Sequence, residues 1–342
     1  MNVIWVSGRV VGDDLCATTQ VALMDGLTER GIHVQMYSPG SIDRDWHIPV
    51  NRSKIKGLQS RSVAKSILNL GLPESDLVIL DWRLAKWIIP RLQKEKRKWL
   101  LMDRSPPADS GMFAKLQRRQ WQYAWKKSEI GCVVSQRHAD LINLEKNAKL
   151  YIIPAGVDSA VYLPRKPSSG LNLVYHGKLD KNRGVLSLLE ITKRLNQSGI
   201  STKLRLIGAG DLSRMLNSMN EDWLEYKGKV SHSEIPILLS EMDVGLSPMD
   251  GREVWSISSP LKMAEYAAAG LQVVATNQPG HQIGESLEWL RLINPDNWIE
   301  QAVTELSTIE ERGNPTKDAA EKYDWSYSVE SLIIAIQETI EE

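Results

Sequence analysis

Phenylalanine is nearly missing from this chain: Phe113 stands alone against 12 Trp and 9 Tyr in 342 residues, an exchange that composition does not explain. Cysteine is almost as scarce. Cys16 and Cys132 are too few for a disulfide framework and unclustered as metal ligands, which points to a reducing compartment, most simply the cytoplasm. No run approaches the roughly 18 apolar residues of a membrane-crossing helix, and the opening NVIWVSG turns polar too soon for a signal-peptide core. Neither an integral nor a secreted protein is expected. Net charge is also absent, since 42 Lys and Arg balance 42 Asp and Glu.

That balance hides an asymmetry. Residues 1–170 hold 26 basic and 16 acidic residues and the remainder 16 and 26, so the halves carry +10 and −10. Opposite charges on two domains turn one of them toward something anionic, such as a membrane surface, a phosphorylated lipid or a nucleic acid, or else draw the halves to each other. The length suits two domains, and 42% apolar with 25% charged residues is the globular average.

Short apolar runs alternate with longer helical stretches. VIWV at 3–6, an amphipathic segment from Thr18 to Arg30 and a second run from Ile32 to Tyr37 form a β-α-β unit, with Gly31 as the helix stop. LVILD (77–81), WLLMD (99–103), GCVVS (131–135) and LYIIP (150–154) are continuous apolar runs of the kind that strands buried on both faces require. PAGVDSAVYLPRKPSSG then reads as a domain linker. Beyond it the alternation restarts: LNLVYH, a helix from Val185 to Asn196, KLRLIG, a helix from Leu212 to Met219, a strand from Trp223 to Lys227, a helix from Glu234 to Glu241, VGLSP, a helix from Pro260, and LQVVAT. The fold class is therefore α/β, two Rossmann-like doubly wound domains at 1–164 and 165–324 facing each other across a cleft. A closing helix at about 325–342 packs back on the first domain, its apolar residues Val329, Leu332, Ile333, Ile336 and Ile340 lying near helical spacing.

Two segments could grip an anion. VYHGKLDKNRG at 174–184 sets Gly177, Lys178 and Arg183 on a loop that ends at Gly184 and opens a helix, the chemistry of a diphosphate clamp and equally of an ordinary polar connection. SSPLKMAEYAAAG at 258–270 reads as a helix capped by Ser259. Lys262 falls in its first turn, where the helix dipole disfavours a cation unless an anion is near, unless it snorkels into solvent.

The strings IIPAGVD, GKLDKNRG, LRLIGAGD, YKGKVSHSEIPILLSEMDVGLSP and SPLKMAEYAAAGLQVVATN occur in the order and near the spacing of one family. Over residues 150–280 the chain resembles the retaining glycosyltransferase family 4 with the GT-B fold; the first half resembles it only in outline, including SQRHADLI. The resemblance implies a nucleotide diphosphate sugar donor bound by the second domain and an acceptor bound by the first. It places Lys178 and Arg183 at the family's arginine and lysine, as the catalytic charges that stabilise the departing diphosphate. Donor binding falls to Gly177, Ser258, Ser259, Lys262 and Glu265, with Glu265 at the glutamate that bonds the ribose. The family's first glutamate falls on Ile257, with Ser258, Ser259 or Glu253 as substitutes. Where the family often carries a histidine, DRSPPADSG at 103–111 offers Asp103, Arg104 and Asp109 to the acceptor, Asp109 equally as a turn residue. His281 reads as facing the donor phosphates or as a plain loop residue.

The implied activity is hexose transfer to a lipid-linked or cell-surface glycan, a lipid phosphate included. No metal and no cofactor is expected, because the cations neutralise the leaving group and no clustered D-x-D carboxylates stand where a divalent ion would be needed. From Arg52 to Lys127 the count is 18 basic against 6 acidic residues, interleaved with Trp82, Trp87, Trp99, Trp121, Tyr123 and Trp125. Cations beside aromatics suit a peripheral position on an anionic membrane face. They suit single-stranded nucleic acid as well, which the family does not lead one to expect as a partner. GAGDLS at 208–213 is a weak dinucleotide fingerprint whose third glycine is Ser213, leaving an oxidoreductase as a minor alternative. A non-catalytic sugar-nucleotide or nucleic-acid binding protein on the same fold is the other.

Overall fold

The continuous apolar runs become parallel strands. The computed structural model describes residues 1–11, 17–107, 112–143, 148–163, 165–166, 169–249, 257, 261–282, 288–309 and 323–342. Strands β1 (Asn2–Val6), β2 (His33–Ser38), β3 (His47–Pro49), β4 (Leu77–Asp81), β5 (Trp99–Met102), β6 (Ile130–Val133) and β7 (Lys149–Ile152) form one sheet in the order β3-β2-β1-β4-β5-β6-β7. In the parallel register Trp5 of β1 sits beside Met36 on one side and Ile79 on the other. All five residues of β4 are buried, as a central strand covered on both faces must be. The covering helices are α1 (Ala17–Glu29), α2 (Gln59–Leu70), α3 (Ala85–Lys94), α4 (Met112–Lys127) and α5 (Gln136–Asn143).

The second sheet contains β8 (Leu171–His176), β9 (Thr202–Ile207), β10 (Leu224–Gly228), β11 (Val244–Ser247), β12 (Gln272–Thr276) and β13 (Leu290–Ile293), ordered β10-β9-β8-β11-β12-β13. Its helices are α6 (Val185–Gln197), α7 (Ser213–Ser218), α8 (Ile235–Leu239), α9 (Leu261–Ala268) and α10 (Trp298–Ser307). The chain closes with α11 (Trp325–Glu341). Two short edge strands, β3 and β13, have no counterpart in the sequence reading, since three or four residues at a sheet edge show neither alternation nor a long apolar run.

Helix α11 belongs to the first sheet. Its Val329, Leu332, Ala335 and Ile336 share a core with Leu23, Met24 and Leu27 of α1. Contact is close enough that a Cβ on Gly26 would stand 2.5 Å from a Val329 methyl, so glycine is required there. The two compact units are accordingly Met1–Ala155 with Trp325–Glu342, and Gly156–Asp324. Much of the stretch expected to be a linker is ordered within the second unit. Val157 bridges to Asp324, Ser159 Oγ donates to Asp324 Oδ2 at 3.2 Å, and Tyr162 packs on the apolar cluster of α9 and β12.

Tryptophan in place of phenylalanine acquires a reason here. Buried indole N–H groups donate to acceptors that a phenyl ring could not satisfy: Trp46 to Asp25 at 2.8 Å, Trp82 to the Ser105 carbonyl at 2.9 Å, Trp121 and Trp125 to Asp103, and Trp298 to Ser187 at 2.8 Å. The same contacts turn these rings inward. Trp82, Trp121 and Trp125 are buried and Trp87, Trp99 and Tyr123 half-buried, so the aromatics among the basic residues form no exposed belt.

Candidate active site

In the second sheet the strand order reverses between β8 and β11, the place where open α/β sheets bind ligands beyond their carboxyl ends. Gly177 leaves β8 at φ +126° and its N–H donates to the Ile207 carbonyl at 2.9 Å. Leu179 N–H donates to Ala209 at 3.1 Å, Leu212 N–H returns to Leu179 at 3.1 Å, and Asp180 and Asp211 each accept from the other loop. A Cβ on Gly208 would sit 1.8 Å from the Gly177 carbonyl, and one on Gly210 2.4 Å from that of Leu179. The glycines of GAGDLS therefore serve this loop-on-loop contact, which disposes of the dinucleotide reading on physical grounds. Downstream, the turn Lys181–Arg183 runs through Gly184 at φ +73° into α6.

Cations gather on that loop. Lys262, the second residue of α9, holds its Nζ 3.9 Å above the Tyr175 ring and 3.8 Å from where a Cβ on Gly177 would be. Burial first, and then the nearby Arg183 charge, push the ammonium down to about 7, with Glu265 opposing. Lys178 is exposed on the same loop as Gly177, its carbonyl accepting from the Tyr175 hydroxyl at 3.1 Å. An incoming dianion would relieve the repulsion between Lys262 and Arg183.

Glu265, on the same helix, is 2% exposed. One carboxylate oxygen lies 3.1 Å from His176 Nε2 and the other 3.2 Å from His232 Nε2. Burial alone would raise this carboxyl, but the charges and hydrogen bonds of the two imidazoles overcome it and bring it down to about 2. The Glu265 bond in turn raises His232 against the opposing effect of burial. Burial, and then the Glu265 charge, push the Tyr162 hydroxyl well up. The sequence reading passed over His176, His232 and Tyr162, although both histidines stand inside the quoted strings VYHG and VSHSE. The ring of His232 is the solvent-facing part of this group, 63% exposed. His281 has a structural post: fully buried, its Nδ1–H donates to the Thr276 carbonyl at 2.7 Å while Nε2 faces Ser247 Oγ at 3.0 Å. Burial holds it neutral, down to about 4. Ile257 is buried at 2%, as an apolar side chain should be. Ser258, Ser259 and Glu253 lie outside the described residues.

The acceptor residues expected in the first unit need correction. Asp103 is wholly buried, and its Oδ2 accepts from Trp121 Nε1 at 2.5 Å and Trp125 Nε1 at 2.9 Å with His138 Nε2 at 3.3 Å. Burial raises the carboxyl, yet His138 and the two indoles prevail and hold it below the usual range. A side chain so enclosed ties α4 and α5 to the sheet and does not meet a sugar. Arg104 is 8% exposed and donates through Nη1 to the Ile153 carbonyl, fixing the end of β7. Asp109 lies outside the described residues. Cys132 is free and buried, its thiol pushed up to about 12 by burial, which leaves it unreactive.

Residues 170–309 match the family model described as Glycosyl transferases group 1. The putative colanic acid biosynthesis glycosyltransferase WcaL of Escherichia coli is 26% identical over 196 residues, which cover 53% of this chain and 48% of that protein. Its Salmonella typhimurium counterpart is 26% identical over 176 residues, covering 47% and 43%. The chain thus spans about half the length of the curated relatives it matches. Among solved structures, the sucrose-phosphate synthase of Thermosynechococcus elongatus superposes with a TM-score of 0.80 at 15% identity over 98% of both chains. HepE of Anabaena, solved with UDP, superposes at 0.69 and 12% identity over 99% of this chain and 100% of its own. The fold is that of the GT-B glycosyltransferases, and the likeness to the group 1 glycosyltransferases read from the motifs of 150–280 holds.

Proposed function

We propose that this GT-B chain, with its group 1 glycosyltransferase match in the second unit, is a retaining hexosyltransferase that moves a sugar from a nucleotide diphosphate sugar to a glycan acceptor. The observation that carries the reading is the placement of Lys262 at the end of β8, its Nζ 3.8 Å from where a Cβ on Gly177 would be, with the Arg183 charge near enough to lower its proton affinity. Relatives named for colanic acid biosynthesis support a glycan product, and neighbours solved with UDP support the donor class.

In this reading the diphosphate lies against Gly177 and is neutralised by Lys178, Arg183 and Lys262, with Ser258 and Ser259, which precede α9 in the sequence, as further donor contacts. As the bond from sugar to diphosphate breaks, charge builds on the leaving oxygen, and fixed cations stabilise that state more than the ground state. No metal is needed when three cations face two phosphates. His176 and His232 keep Glu265 ionised and oriented, so a ribose hydroxyl approaching Glu265 meets the exposed His232 ring first.

A thermal-shift series with nucleoside diphosphates and nucleotide sugars tests the donor class, because a ligand of the folded state alone raises the melting temperature. One nucleoside diphosphate should stabilise the second unit. In transfer assays Lys178→Ala and Arg183→Ala should each lower the rate by about two to three orders of magnitude. Stabilisation without any transfer or donor hydrolysis would leave a sugar-nucleotide binding protein instead.

A further inference from the structure

The first unit carries a polar group that none of the site residues above uses. Its sheet reverses order between β1 and β4, and just beyond those strands stand Ser7, Gly8 and Arg9 on one side and Asp81, Trp82 and Arg83 on the other. Arg9 is 8% exposed. Among the described residues its guanidinium has one partner, a neutral one: Nη2 donates to Ser105 Oγ at 2.8 Å. Arg83 is different, for its Nη1 lies 3.7 Å from the Asp81 carboxylate and its guanidinium 4.7 Å from the Trp82 ring. Asp81 is also engaged by the backbone N–H groups of Gly8 at 3.3 Å and Arg83 at 3.0 Å. Its charge is therefore spent, and among the described residues Arg9 has no acidic partner.

Arg9 is thus a residue more than nine-tenths buried with no anion beside it among the described residues, and burying an unpaired charge is costly. Proteins retain such groups where a ligand supplies the missing charge, and the planar fork of arginine fits carboxylate and phosphate oxygens in pairs. Next to it Gln20, 1% exposed, donates to Ser7 Oγ at 2.8 Å while its own carbonyl oxygen has no donor among the described residues. A sugar hydroxyl is a donor of the required kind. Ser105 is fixed in turn, its carbonyl accepting from Trp82 Nε1 at 2.9 Å.

We infer that Arg9 reads a negatively charged group on the acceptor, a carboxylate or a phosphate borne by a sugar, at the switch point of the first sheet. This rests on the reading that the first unit holds the acceptor. The full-length protein, saturated with UDP so that the cations of the second unit are occupied, would be titrated calorimetrically with glucuronate, glucose 6-phosphate and glucose. At least one anionic sugar should bind tenfold or more tightly than glucose. Glucuronate alone would identify a carboxylate, and glucose 6-phosphate alone a phosphate. Arg9→Gln should abolish that preference with UDP binding unchanged, and Arg9→Lys should keep part of it. Equal affinity for all three sugars in the native protein overturns the inference, even if Arg9→Gln does not fold, and so does a preference that survives in Arg9→Gln. Failure of UDP to bind calls for the nucleoside diphosphate that the thermal-shift series selects, and failure of all of them speaks against the donor reading instead; the sugar titrations then run on Arg183→Ala.

Discussion

Lys262 is a lysine balanced near neutral pH, and its titration should be visible in binding. Because the free ammonium titrates near 7 and a bound diphosphate would raise it, the sign is fixed. Nucleoside diphosphate affinity should be flat below pH 7 and fall as pH rises toward the raised value in the complex. At pH 8 binding should take up a proton, measurable by calorimetry in buffers of different ionisation heat. Lys262→Arg, always charged, should flatten the profile. Zero proton uptake at pH 8 in the native protein would remove Lys262 from the clamp. At this scale the sequence showed which residue types were present but not which of them meet. Asp103 looked like an exposed polar residue after a strand; Trp121, Trp125 and His138, which bury it, lie 18 to 35 positions further on in other helices. His176, His232 and Glu265 likewise come from three separate elements, so no local spacing announces them.

Strands were legible because a central parallel strand is largely apolar, and β1 (NVIWV), β4 (LVILD), β8 (LNLVYH) and β12 (QVVAT) each carry a short apolar run. Loops were not, because a glycine pattern states only that something approaches closely. The GAGD loop illustrates the difference and yields a paired prediction. Gly208 combines φ +134° with a backbone carbonyl 1.8 Å from its would-be Cβ, whereas Gly199 at φ +89° has nothing within 4 Å. Gly199→Ala should cost about 1 kcal/mol, the conformational strain alone. Gly208→Ala should cost more than about 3 kcal/mol, because strain adds to a clash the backbone must move to relieve. It should also displace the Gly177 loop and weaken nucleoside diphosphate binding, unlike Gly199→Ala. Urea denaturation of the two variants compares them, and equal costs would mean that the two loops do not rely on their contact.

Over the whole molecule, the charge asymmetry was plain in the sequence while its meaning depended on which way the aromatics face. With those rings turned inward, the aromatics contribute no belt to any attraction to a membrane, which then rests on the cations and on exposed aliphatic side chains beside them such as Ile55 and Leu58. Arg52, Lys54, Arg61 and Lys65 are all exposed, and no acidic residue lies between Asp45 and Glu74. No described helix is long and apolar enough to cross a membrane. Each cation near an anionic surface should contribute about 1 kcal/mol, fading over a Debye length of roughly 8 Å at physiological salt. Cosedimentation should therefore rise with anionic lipid and vanish at high salt, and replacing those four residues by Gln should abolish it. Binding that persists at high salt would point to apolar insertion, for which the exposed Ile55, Leu58 and Leu70 and not the buried tryptophans are placed.

The placement of α11 bears on how the protein is made. The first unit is the first to emerge from the ribosome and the last to be completed, because Leu23, Met24 and Leu27 wait for Val329, Leu332 and Ile336 until the entire second unit has been synthesised. At typical elongation rates that interval is roughly ten to thirty seconds, long compared with hydrophobic collapse. During it the nascent sheet lacks the part of its apolar cover that α11 supplies. Stopping translation after Asp324 should leave a protein whose second unit still responds to nucleoside diphosphates while the first unfolds at lower temperature or aggregates. A peptide of residues 325–342 supplied in trans should restore it, and a truncated chain as stable as the full one would show that α11 is dispensable.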